Sequence, residues 1–241
     1  MPANGSRFYH GYNIVALAFF IMVLTYGVRT SFGVFFKPIE AEFGWSRALI
    51  SGAVTVSMIV QGLWGIYMGR VHDNFGSRLV ITICCFFLGL GLVLFSFTSH
   101  SWQLYVFYGL LTGLGMGGIF VSLMATVTRW FVKKRGMMSG IVLAGIGVGT
   151  ITFAPVSNWL ISLVDWRIAN LIIGAVVMVA GIAAAQFLRS DPAQMDLLPY
   201  GHTGGKSADS SNKGKGLNLK GAAATWQFWV TLIIYICVGY C

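Results

Sequence analysis

The chain has 241 residues, 56% of them hydrophobic and only 10% charged, with sixteen Lys and Arg against seven Asp and Glu and a formal net charge of +9. A soluble domain carries roughly 25% charged residues, so this composition, with a mean hydropathy of +0.76, excludes a water-covered globule and places the chain in a lipid bilayer. In a soluble protein such a basic balance would point to nucleic acid; here the charges sit between long apolar runs, and no nucleic-acid partner is expected.

A spanning helix needs about 20 apolar residues. Six such runs lie at 13–36, 47–69, 79–98, 102–128, 137–161 and 168–188. The expected fold is all-α and transmembrane, a six-helix bundle over 13–188 behind a cytoplasmic tail, 1–12. The first run is too long for a signal-peptide core and lacks a small-x-small cleavage site, so it is expected to stay.

Arg29 is the one ionisable residue inside a predicted span. A charge at membrane depth is costly and marks a functional candidate. Counted from Ile14, however, Arg29 lies about 22 Å along a core of about 30 Å, near enough to the outer surface for its long side chain to snorkel out. Both readings stand from physics alone. In the second run Ser57 and Gln61, four apart, either line a cavity or bond a neighbouring helix.

The turn "GRVHDNFGSR", 69–78, follows. Gly69 and Gly76 permit a tight turn and close backbone approach. Asp73 can pair with Arg70, Arg78 or Arg129, can cap a helix N-terminus, or can simply offset its neighbours in a solvated loop. In the third run Cys84 and Cys85 are adjacent and apolar in setting, with no metal-ligand spacing; with Cys237 and Cys241 they read as filler. No metal and no cofactor is expected.

"GLLTGLGMGG" (109–118) and "GIVLAGIGVG" (140–149) are glycine-rich. A nucleotide fingerprint needs a strand before the glycines and a helix after them. Both runs lie inside spans, so the glycines are read as close-packing positions. Pro155 is expected to bend the fifth helix, and Asn158 invites the same two readings as Gln61. Trp45, Trp102, Trp166 and Trp226 fall at helix ends, where an aromatic belt would lie.

Residues 189–225 are rich in Gly, Ser, Asp, Asn and Lys and read as a cytoplasmic linker. A seventh run, 226–241, covers only about 24 Å at 1.5 Å per residue and reads as cut short. With the N-terminus inside, twelve basic residues are cytoplasmic: Arg7, Arg70, Arg78, Arg129, Lys133, Lys134, Arg135, Arg189, Lys206, Lys213, Lys215 and Lys220. Lys37, Arg47 and Arg167 lie opposite, and this split fixes the orientation by the positive-inside rule.

Gly69, Asp73, Gly76 and Arg78 resemble the loop 2–3 signature of the major facilitator superfamily, which runs glycine, three residues, aspartate, basic, any, glycine, basic, basic. Asn74 and Ser77 stand where that signature has basic residues, which implies a weaker or differently wired latch. "SFGVFFKPIEAEFGWSRALIS" (31–51), "RWFVKKRGMMSGIVLAG" (129–145) and "DWR" (165–167) are similar to the monocarboxylate carrier and oxalate:formate antiporter-like branch. The resemblance implies the first of two six-helix bundles, with a second, C-terminal bundle as the missing partner. It implies alternating access for a small organic anion, and a loop 2–3 aspartate that latches the two halves on the cytoplasmic side of a plasma membrane, in the bacterial case the inner membrane. Animal carriers of this type place a lysine in the first helix near the bound carboxylate. Ungapped matching puts it on Thr30, with the family's tyrosine on Tyr26. The candidate anion site is therefore Tyr26, Arg29, Thr30, Ser57 and Gln61, and the candidate gate is Gly69, Asp73, Gly76, Arg78 and Arg129.

An intramembrane enzyme would need paired acids, a nucleophile with a base, or a metal cluster within the spans. No Asp or Glu lies in any predicted span, and His10, His72, His100 and His202 fall in tails or loops, so no enzyme is expected. A non-transporting six-helix receptor or scaffold, or a half-transporter that works with a partner, is the alternative. A channel would need a ring of charge or a filter-like loop.

Overall fold

The computed structural model describes residues 10–131 and 134–188 in the first of two compact units, Met1–His202, and residues 225, 226, 229 and 230 in the second, Thr203–Cys241. The remainder of the linker and of the seventh run lies outside the described residues. Among its described residues the first unit holds six helices long and apolar enough to cross a membrane: α1 (His10–Phe43), α2 (Arg47–Phe75), α3 (Ser77–Phe95), α4 (Ser101–Trp130), α5 (Arg135–Leu163) and α6 (Trp166–Phe187). The fold is all-α and multi-pass.

Helices α1, α2, α4 and α5 outrun the apolar stretches that predict them, whereas α3 ends three residues short of its run. α1 spans 34 residues, about 51 Å at 1.5 Å per residue, against a hydrocarbon core of about 30 Å. Hydropathy marks the depth at which lipid ends, not the end of the hydrogen-bonded ladder. The turn at 69–78 shrinks accordingly: α2 runs to Phe75, α3 begins at Ser77, and only Gly76 stands between them. Gly76 adopts φ 84°, which a side chain would oppose, and its N–H returns to the His72 carbonyl at 2.9 Å. Gly69 corrects the expectation of a tight approach. It lies inside α2 with open space where a side chain would stand. The close approach comes one turn earlier, at Gly65, where an added Cβ would lie 2.9 Å from the Gly117 carbonyl oxygen.

Capping fixes two helix starts at the opposite end of the bundle. Ser46 accepts from the Leu49 N–H at 3.3 Å, and Asp165 accepts from the Trp166 N–H at 2.8 Å. Both satisfy donors that the first helical turn leaves free. Within the spans, hydroxyls donate back to their own helix, as in Thr25 to Ile21 at 2.7 Å and Thr126 to Ser122 at 2.7 Å. Each then carries no unmet donor into the apolar interior.

α1 packs chiefly on α5, α3 on α6 and α4, and α2 on α4. The glycine-rich runs supply these seams. An added Cβ on Gly113 would stand 2.8 Å from the Ser57 carbonyl, and one on Gly149 would stand 2.5 Å from the Val23 carbonyl. Buried side chains form two apolar clusters. One, at the α2–α3 end, includes Ile81, Val127, Trp130 and Phe131. The other, toward the α1–α2 end, includes Ile39, Phe95, Tyr108 and Trp166. α2 and α5 take least part. Only 11% of the most apolar stretch of α2 and 22% of that of α5 is buried in the protein, against 61% for α4.

Candidate functional site

Two seams place the candidate anion site. α1 is held against α5 where Gly27 meets Gly149 backbone to backbone, two residues before Arg29. α2 is held against α4 where Gly113 and Gly117 meet the Ser57 and Gln61 carbonyls. The two seams turn Arg29 and Gln61 toward each other. Arg29 Nη1 donates to Gln61 Oε1 at 3.1 Å in a half-buried setting. The guanidinium is therefore engaged sideways by α2, in place of the outward snorkel that its position in the sequence also allowed. Its partner is a neutral amide, which orients the fork and leaves the positive charge uncancelled.

The Thr30 and Ser57 hydroxyls bond to backbone carbonyls of their own helices. Thr30 Oγ1 donates to the Tyr26 and Gly27 carbonyls at 3.1 and 3.0 Å, and Ser57 Oγ donates to the Val54 carbonyl at 2.7 Å. Both hydroxyls retain acceptor capacity only. Tyr26 is half-buried and packs against both apolar clusters, so it sits at the boundary between them. Asn158 is exposed on α5.

Tyr108 was not foreseen. α4 widens into a π-helical stretch over Tyr105–Thr112, a geometry frequent near functional positions. That stretch carries the Tyr108 ring onto Phe32, with centroids 3.8 Å apart, one turn along α1 from Arg29. Nothing in an apolar run announces such a register. A second π-stretch residue, Tyr105, donates its hydroxyl to the Leu49 carbonyl at 3.0 Å and ties α4 to α2.

The candidate gate divides in two. Asp73 pairs with Arg129, Oδ1 to Nη2 at 3.4 Å, joining α2 to α4 across a solvated gap. Arg78 takes no part. Its Nε donates to Gln186 Oε1 at 2.8 Å, and Nη2 reaches the same oxygen, so Arg78 belongs to the α3–α6 seam. His72, next to Asp73 in the chain, is buried, with neither ring nitrogen bonded among the described residues.

At the other end of the bundle the "DWR" stretch forms a clamp. Arg167 donates to the Glu42 carboxylate at 2.7 Å and to the Ser96 carbonyl at 3.0 Å. The Trp166 indole N–H donates to the other Glu42 oxygen at 2.5 Å. Arg167 lies over the Trp166 ring at 4.8 Å and the Phe43 ring at 5.5 Å. The ends of α1, α3 and α6 are thereby tied at one point. Trp166 is buried here and forms part of the core, not of an aromatic belt; Trp102 remains exposed, as a belt residue would.

Comparison with known proteins gives a family profile for the Major Facilitator Superfamily that matches residues 18–241. The chain is 33% identical over 165 residues to monocarboxylate transporter 13 of Bos taurus, covering 68% of this chain and 39% of that protein. It is 28% identical over 221 residues to monocarboxylate transporter 2 of Homo sapiens, covering 90% and 45%. It is 24% identical over 209 residues to an MFS-type transporter 1 of an Ophiocordyceps species, covering 83% and 46%. The chain thus spans less than half the length of these curated relatives.

Proposed function

The chain belongs to the Major Facilitator Superfamily, and on that premise we propose that it forms the first bundle of a secondary active transporter for a small organic anion such as a monocarboxylate. Transport proceeds by alternating access, with this bundle rocking against a second six-helix half around a central site. The N-terminus is cytoplasmic and the protein sits in a plasma membrane, in keeping with the distribution of its basic residues.

The observation that carries this reading is the Arg29–Gln61 bond. A half-buried cation on a membrane-spanning helix is expensive, and here it is oriented by an amide and not neutralised by a carboxylate. A substrate carboxylate supplies the missing charge through two parallel hydrogen bonds to the guanidinium fork. Tyr26, Thr30 and Ser57 line the approach, and the Asp73–Arg129 pair holds the cytoplasmic side when the site faces outward. The names of the mammalian relatives support a monocarboxylate over other anions.

The test is uptake of radiolabelled monocarboxylates by the full-length protein reconstituted in proteoliposomes, beside its Arg29→Gln variant. Saturable uptake by the parent and its loss in the variant, at equal protein incorporation, is the expected result. Uptake unaffected by Arg29→Gln removes the site. Binding of the anion without movement across the bilayer would favour a receptor or scaffold.

A further inference from the structure

At the α2–α3 end, a groove of about 480 Å³ is lined by Phe75 of α2, by Arg78, Leu79, Thr82 and Ile83 of α3, and by Gln186 of α6. It shares no residue with the Arg29–Gln61 site. Its walls are of two kinds. Phe75, Leu79 and Ile83 are apolar; Phe75 is 69% exposed and Leu79 41% exposed. Leu79 and Ile83, four apart, descend one face of α3 toward the middle of the span.

The rim is polar and ordered. Gln186 Oε1 accepts from Arg78 Nε at 2.8 Å and from Nη2, while Gln186 Nε2 donates to Thr82 Oγ1 at 3.3 Å. Thr82 Oγ1 in turn donates to the Arg78 carbonyl at 2.8 Å. This chain of bonds fixes one edge of the guanidinium. The described ion pairs of the bundle are Arg47–Glu40, Arg129–Asp73 and Arg167–Glu42, and Arg78 has no carboxylate partner among the described residues. A fixed cation with no carboxylate partner among the described residues therefore stands at the rim of an apolar groove.

We propose that this groove binds an anionic phospholipid of the leaflet on the α2–α3 side. The lipid phosphate takes the outer edge of the Arg78 fork, which suits a planar two-oxygen acceptor, and one acyl chain lies along Leu79 and Ile83. Basic pockets between membrane helices on this kind of face take lipid head groups for the same reason. A water-soluble anion engages only the rim and makes no use of the apolar walls. A lipid satisfies both at once.

The experiment is native mass spectrometry of the detergent-purified full-length protein titrated with phosphatidylglycerol or with phosphatidylcholine of the same chains. Phosphatidylglycerol binds preferentially, and Arg78→Gln weakens it about fivefold, the effect of one basic residue at a membrane surface. Ile83→Trp, which fills the groove and keeps the charge, weakens both lipids. Arg70→Gln, a neighbouring exposed arginine outside the groove, leaves the preference intact. Unchanged melting temperature in the variants shows that the fold is retained. The proposal is overturned by equal binding of the two lipids, by an equal loss in Arg70→Gln, or by displacement of the lipid with inorganic phosphate at matched concentration.

Discussion

Arg29 and Gln61 meet across α1 and α2 through one bond of 3.1 Å, Nη1 to Oε1, between residues 32 apart in the chain. The amide orients the cation and leaves its charge free. Arg29→Gln should therefore abolish saturable anion uptake, a loss above about tenfold, since a charge-assisted bond contributes roughly 1.5–3 kcal/mol. Gln61→Leu should raise the KM about fivefold and change the maximal rate less, because it loosens the fork without removing it. Equal effects on KM and rate from both variants would argue that Gln61 itself contacts the anion.

The Asp73–Arg129 pair is long and solvated, with the Asp73 side chain 71% exposed. Such a pair is worth at most about 1 kcal/mol. Asp73→Asn and Arg129→Gln should each leave thermal stability nearly unchanged. Each should also shift the inward- and outward-open populations in the same direction, and the double variant should go no further. The readout is modification of single cysteines placed at the α2–α3 end of the bundle.

Gly149 and Gly147 form a matched pair of probes on α5. A methyl group on Gly149 would meet the Val23 carbonyl at 2.5 Å and the Gly27 nitrogen at 3.0 Å, both backbone, whereas one on Gly147 meets nothing within 4 Å. Gly149→Ala should destabilise by about 1–3 kcal/mol through overpacking. Gly147→Ala should be neutral or slightly stabilising, since alanine is the better helix former. Thermal unfolding in detergent separates them, and equal melting temperatures would contradict the seam.

The Arg167 clamp predicts strong non-additivity. Glu42→Gln removes the carboxylate shared by Arg167 and Trp166, and Arg167→Lys removes the fork that reaches both Glu42 and Ser96. Each should lower stability by about 1–2 kcal/mol, and the pair together by little more than one. A double variant whose melting temperature falls by the sum of the two would mean that the groups act separately.

The first six spans and their approximate positions were legible because a bilayer imposes one length on every crossing. The role of the glycines was legible too. "GLLTGLGMGG" and "GIVLAGIGVG" have the small-residue spacing that close helix packing needs, and Gly113, Gly117 and Gly149 are in contact as that spacing requires. Asp73–Arg129 was one of three pairings the sequence allowed. What decided between them is the turn at Gly76, which sends Arg78 toward α6; a left-handed joint of one residue leaves no mark in hydropathy. Trp166 misled because a tryptophan at a helix end looks the same whether its indole faces lipid or a carboxylate 124 residues away. Tyr108 was invisible because a π-helical stretch shifts its register only through tertiary packing.

Because α2 and α5 keep most of their apolar surface outside the bundle, natural variation along them carries information that the buried helices cannot give. Leu63 and Ile66 are each 68% exposed, and Ile151 is 75% exposed. Acyl chains accept any apolar side chain of any shape, whereas a second polypeptide selects for fit. A comprehensive substitution scan thus becomes a footprint. Positions on α2 and α5 that tolerate every hydrophobic residue face lipid, and positions that reject a change of shape trace the outline of whatever protein surface rests against them.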